Sequence, residues 1–245
     1  MMNESPSLGH GIESTPAHLE YVSEPQSFQN IKALLMGMVV MSDKSNQITN
    51  LGLEGFDDIL PEPLGAGEYE NTFLTILQLA FVLSISPVAA QLTQTNLSER
   101  PKDVIQKWRD QKVLRGLRII DLGSGRIPSF AIVAHALGAQ SYTVDAEGID
   151  SIAKEKIDGH IVTDLSMKGA VAILKKATGG NFDLVTEHII GPIPEAKVHM
   201  YAPYPNEIID MAKELLKTGG YLYSDQVESY QLRVNRPRMP LQRTR

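Results

Sequence analysis

Gly123 and Gly125, with Ser124 between them, close the apolar run LRIIDL and stand ahead of Arg126-Ile127-Pro128 and a helical pattern. Glycines at alternate positions let a chain turn sharply after a strand, and they let a ligand approach the main chain at a helix N-terminus. Asp121, two residues before the first glycine, is placed to orient such a loop by accepting backbone N–H bonds. Asp145 ends a second strand-like run, SYTVD, twenty residues beyond Gly125, where a carboxylate can accept hydrogen bonds from two ribose hydroxyls. Asp164 ends a third run, near where a base would lie. A fourth run ends Thr186-Glu187-His188, and a carboxylate beside an imidazole is a candidate acid–base pair. The bland reading of that pair is two polar groups meeting solvent at a strand end. His199, Tyr201 and Tyr204 either line a pocket or form packed surface, and His135 and His160 read as structural.

These residues need a scaffold that brings strand ends together, and residues 118–227 supply its grammar. LRIIDL, SYTVD, HIVTDL, FDLVTEHII and YLYSDQV read as strands. Between them IPSFAIVAHALGA, IDSIAKEKI, MKGAVAILKKATGG and PNEIIDMAKELLKTGG read as helices, most of them closed by glycine. Strands alternating with helices at short spacing specify a mainly parallel, doubly wound α/β sheet of Rossmann-like type, with right-handed crossovers and helices on both faces. Ligands bind such a sheet outside the carboxyl ends of the strands, where the strand order reverses. The sheet either stops at five strands or gains one more in YQLRV.

The preceding residues read differently. Residues 1–17 are rich in Ser, Pro, Gly and Glu and are expected to be mobile. Residues 18–117 are expected to be mainly helical: a helix from Pro25 through SFQNIKALLMGMVVM, loop and turn over 43–70, an apolar helix over about 70–85 broken at Ser86-Pro87, and an amphipathic helix over 98–115. They form a cap on the sheet or a dimerisation segment, so a homodimer is one expected state. Residues 1–70 carry eleven acids and two lysines, whereas residues 71–117 carry six basic residues against three acids. The uncharged stretch 71–98 approaches the length of a membrane helix, but Thr75, Gln78, Ser84, Ser86 and Pro87 argue for burial inside protein.

Composition narrows the function classes. The 245-residue chain contains no cysteine, which excludes thiolate metal sites, disulfides and a cysteine nucleophile and fits a reducing, cytoplasmic compartment. The six histidines are too scattered for a metal motif, so no metal is expected. No secretory signal is readable in the first seventeen residues, and Met2 excludes myristoylation. The five arginines after residue 232 read as a solvated tail rather than a nucleic-acid surface, since the net charge is −6.

The segments DLGSG, YTVD, VTDL, FDLVTEH and ELLKTGGYL, in that order, resemble the class I S-adenosylmethionine-dependent methyltransferases over residues 118–227. The resemblance implies that the loop Gly123–Ser124–Gly125 wraps the amino-acid and ribose portion of S-adenosylmethionine, and that Asp121 belongs to the loop's fingerprint. It also implies that Asp145 holds the ribose and Asp164 lies beside the adenine amino group. Glu187 and His188 would flank the methyl group and the acceptor. A nicotinamide dinucleotide is disfavoured by Pro128, where its fingerprint needs glycine. Two features depart from the family pattern: Ile127 stands in place of the frequent third glycine, and the family sheet closes with two further strands, one antiparallel. The absence of an Asn/Asp-Pro-Pro-aromatic motif after the fourth strand argues against methylation of DNA bases. The implied activity is methyl transfer to an unidentified, small-molecule acceptor, with His188 or Glu187 as base. The competing implication is a methyltransferase-like module that binds or regulates without turnover.

Overall fold

The apolar runs and glycine stops of residues 118–187 become strands and helices at the expected places in a computed structural model of the chain, which describes residues 17–43, 48–53, 56, 69–96, 99–187, 205–224 and 229–234. In chain order the elements are β1 (Ala17–Tyr21), α1 (Phe28–Met36), β2 (Val39–Asp43), β3 (Ile48–Leu53), α2 (Tyr69–Ile85), α3 (Pro87–Thr95) and α4 (Pro101–Gln111). The second half comprises β4 (Arg118–Leu122), α5 (Ser129–Ala136), β5 (Gln140–Asp145), α6 (Ser151–Lys154), β6 (Gly159–Val162), α7 (Ala170–Thr178), β7 (Phe182–Glu187), α8 (Pro205–Leu215), β8 (Leu216–Ser224) and β9 (Ser229–Val234).

One seven-stranded sheet, in the order β1-β9-β8-β7-β4-β5-β6, organises the fold, and β2 and β3 form a separate antiparallel hairpin. The strands from β8 to β6 pair in parallel, while β9 is antiparallel to both of its neighbours. The chain moves outward from β4 to β5 and β6, then returns to lay β7 on the other side of β4, so the order reverses between β4 and β7. A crevice for ligand therefore belongs at the carboxyl ends of these central strands. Alternation of side chains along β4 gives the sheet two covered faces. Ile119 joins the core formed with α1, α2, α4 and α5, whereas Ile120 and Leu122 join the core formed with α7 and α8. Asp121 points to the same side as Ile119, toward α2.

The strand count corrects the sequence expectation of five or six. The sixth strand, β9, is the one readable in YQLRV, but the seventh, β1, comes from the segment read as mobile up to residue 17 and mainly helical beyond it. Its five residues carry no apolar run, and their extended form is dictated by β9, which sets Leu19 opposite Leu232 and Tyr21 opposite Tyr230. β9 and β1 supply the two closing strands that the methyltransferase resemblance implies, one of them antiparallel to its neighbours. β3 likewise lies in the stretch read as loop, because ITNLGL is too short and too polar to announce a strand without its partner β2. Residues 18–117 are therefore helical in their larger part but also supply strands. Residues 1–16, read as mobile, lie outside the described residues.

The helices end where local chemistry stops them. Pro87 has no N–H to continue α2 and starts α3, whose N-cap Ser86 accepts from the Ala89 N–H and donates to the Val113 carbonyl at 2.7 Å. α2 is buried all round through Ile76, Leu79, Ala80, Phe81, Val82 and Leu83, with Phe81 stacked on Tyr223 at 4.5 Å between ring centroids. Among the described residues no single helix is long and apolar enough to cross a membrane; α2 and α3 reach that length only together and bend by 97° between them. Ser86 touches the chain just ahead of β4, while Gln78 touches Asp121 near the end of β4. α2 thus runs antiparallel to β4, with its N-terminal half beside the carboxyl edge of the sheet and its C-terminus at the amino edge.

Candidate functional site

Backbone conformation builds the loop after β4. Gly123 has φ 75° and Gly125 has φ 67°, the left-handed region where a side chain is strained. The N–H groups of Gly123 and Ser124 both donate to the Val144 carbonyl, at 2.8 and 3.1 Å, which folds the loop over the end of β5. Asp145 then clips it in place: Oδ2 accepts from the Gly125 N–H at 2.9 Å, and Oδ1 accepts from the Glu147 N–H at 3.0 Å. A carboxylate has about four lone-pair sites, so these two bonds leave acceptor capacity for ligand hydroxyls. A Cβ placed on Gly125 would meet nothing within 4 Å, so the loop borders open space there. Arg126, the bulky residue that follows Gly125, is exposed.

Ser124 supplies the test of whether a polar cofactor fits this loop. Its side chain is only 7% exposed, and its Oγ has no hydrogen-bond partner among the described residues. A buried hydroxyl left unpaired costs about 1–3 kcal/mol, and this one, in the turn between two glycines of positive φ, has bonding capacity to offer a ligand. The donors and acceptors present therefore fit the polar amino-acid and ribose portion of S-adenosylmethionine.

Asp121 is 3% exposed and is held at one oxygen from two directions: Oδ1 accepts from the Thr186 hydroxyl at 2.7 Å and from Gln78 Nε2 at 3.2 Å. Asp164 lies two residues beyond the end of β6, half-buried, and its Oδ1 accepts from the backbone N–H and the hydroxyl of Ser166 at 2.8 and 2.6 Å. Asp121, Ser124, Asp145 and Asp164 therefore gather at the carboxyl ends of β4, β5 and β6. Glu187 ends β7 next to β4, but it is 2% exposed and accepts from the hydroxyl of Ser224 at the end of β8. His188, His199, Tyr201 and Tyr204 lie outside the described residues.

His160 and His135 act within the fold: His160 bridges Thr143 Oγ1 and the Glu147 carbonyl, and His135 pairs with Asp158 at 3.0 Å. No group of three metal-binding side chains occurs among the described residues. Sequence reasoning missed Gln78 and Ser224 as parts of the site. The available signal for Gln78 was its isolation, as a lone amide between Leu77 and Leu79 in an apolar helix.

No protein-family model and no curated protein matches the chain. Among solved structures, a TehB-like S-adenosylmethionine-dependent methyltransferase from Corynebacterium glutamicum is 16% identical over 50% of this chain and 70% of that one, at a TM-score of 0.32. The MycE methyltransferase of the mycinamycin biosynthetic pathway, solved with Mg and SAH, is 15% identical over 78% of this chain and 51% of its own, also at 0.32. AibC is 17% identical over 48% of this chain, a match that spans 31% of AibC, with a TM-score of 0.32. The fold assignment rests on strand order and pairing, not on these overlays: the chain has a doubly wound, mainly parallel sheet of Rossmann-like type.

Proposed function

We propose that the chain is an S-adenosylmethionine-dependent methyltransferase acting on a small-molecule acceptor, working in the cytoplasm. The observation that carries this reading is the glycine loop clipped to the tip of β5 by Asp145, with the unpartnered Ser124 hydroxyl buried inside it. When bound, S-adenosylmethionine supplies a methyl group already made electrophilic by its sulfonium, so the chain's main task is positioning. In this reading the Ser124 hydroxyl holds the amino-acid portion, Asp145 the ribose and Asp164 the adenine edge. Thr186 fixes Asp121 beneath the loop. Glu187 shapes the wall toward the acceptor and His188 takes the acceptor's proton where one must leave. Burial of Glu187 against Ser224 favours His188 over Glu187 for that proton.

A second reading, a methyltransferase-like module that binds cofactor and regulates without turnover, is favoured by the same enclosed Glu187 and by Ile127 at the third-glycine position. Calorimetric titration of the full chain with S-adenosylhomocysteine tests the shared premise, and both readings expect saturable 1:1 heat. Absence of heat at millimolar ligand refutes both. Transfer of labelled methyl to a small-molecule extract then separates them, since only the enzyme labels a product.

A further inference from the structure

A buried carboxylate is tolerated only where donors surround it. Asp121 sits two residues before Gly123, so whatever fixes its side chain also fixes the exit of β4 into the glycine loop. One donor, Thr186, comes from the adjacent strand β7. A second donor, Gln78, comes from α2, more than forty residues earlier in the chain, and is itself only 4% exposed. Among the α2 residues from Ile76 to Leu83 it is the one polar side chain, in a helix whose other residues there pack as apolar core. An apolar residue would fill that volume equally well, so packing alone gives no reason for an amide. Its amide nitrogen reaches the same Oδ1 that takes the Thr186 hydroxyl, joining α2, β4 and β7 at the point where the strand order reverses.

We propose that Gln78 is a positioning residue for the cofactor loop, acting through Asp121, and that α2 is therefore a wall of the crevice and not a detachable cap. The proposal deepens the methyltransferase reading and rests on it for its ligand, but the loop itself gives a readout that needs no ligand. In the full chain, Gln78→Met keeps length and approximate volume and removes the donor; Gln78→Asn withdraws the donor by one methylene and keeps an amide, as a second variant should the first fail to fold. Leu83→Ala, in the same helix and fully buried, is the control for destabilisation of α2 without loss of the amide.

Amide hydrogen exchange at Gly123 and Ser124, whose N–H groups are held by the Val144 carbonyl, is measured in the free chain, alongside melting temperature and the Kd for S-adenosylhomocysteine. Either Gln78 variant is expected to speed exchange at these amides about tenfold and to raise the Kd about five- to tenfold. Leu83→Ala is expected to lower the melting temperature at least as far with both unchanged. In an Asp121→Asn background, Gln78→Met should add less than twofold. Loop exchange at the wild-type rate in the folded Gln78 variants, or an equal rise in Leu83→Ala, overturns the proposal. If the wild-type chain binds no S-adenosylhomocysteine, the methyltransferase reading falls, and the exchange data still decide the role of Gln78.

Discussion

Asp145→Ala removes the clip on the glycine loop, and the bonds it loses set the size of the effect. Two backbone N–H groups donate to this carboxylate at 2.9 and 3.0 Å. Hydrogen bonds to charged groups contribute about 1.5–3 kcal/mol each, but Gly125 and Glu147 are exposed and water replaces much of what is lost, leaving roughly 1 kcal/mol apiece. At about 2–4 °C per kcal/mol for a chain of this size, the free protein should melt roughly 4–8 °C lower. Ligand binding should suffer more. Loss of two ribose hydroxyl bonds to a carboxylate inside the crevice corresponds to about 3–6 kcal/mol, or a rise of roughly 10²–10⁴ in Kd. Asp145→Asn, which keeps one acceptor oxygen, should fall between. The assay is calorimetry with S-adenosylhomocysteine beside thermal unfolding of each variant. A Kd within about threefold of wild type, together with a lowered melting temperature, would show that Asp145 only holds the loop, and the ribose assignment would be lost.

Other expectations follow from neighbouring features. Gly138 has φ 100°, and a Cβ there would lie 2.8 Å from Lys112 Cβ, while Gly116 has φ 88° with nothing within 4 Å. Gly116→Ala should cost about 1 kcal/mol in denaturant unfolding and Gly138→Ala distinctly more; equal costs would refute the close approach. Leu19→Asp puts a charge opposite buried Leu232 in the β1–β9 pair and should cost at least about 2 kcal/mol, whereas Glu20→Ala, which removes an exposed pair with Arg233, should cost under about 0.5 kcal/mol. Comparable losses would mean that β1 is not part of the sheet. His188→Ala should leave S-adenosylhomocysteine affinity within about twofold and lower turnover about 10²-fold, read from binding and single-turnover transfer.

The readable parts of this molecule are those whose signal is local. β4 and β7 carry short apolar pairs, Ile119-Ile120 and Leu184-Val185, because both faces of each strand are covered, and α2 stops at Ser86-Pro87 because proline forces it to. The glycine loop was legible because residues with positive φ leave a mark in the sequence at Gly123 and Gly125. β1 was not legible, since Ala17–Tyr21 is a strand only by virtue of β9, more than two hundred residues away. Gln78 and Ser224 were hidden for the same reason: each acquires its role from a carboxylate on a distant element, Asp121 or Glu187, and pairings across the fold leave no periodic trace. The acidic residues were placed correctly at strand tips, but that Asp145 also serves its own loop emerges only from the geometry.

A crystal structure of the chain soaked with S-adenosylhomocysteine tests the central claim most directly. The account expects the adenosyl group across the tips of β4, β5 and β6, with the ribose hydroxyls within hydrogen-bond distance of Asp145, the adenine beside Asp164 and a polar ligand atom on Ser124 Oγ. Ligand density elsewhere on the sheet, or an empty crevice at saturating ligand with Ser124 paired inside the protein, would contradict it.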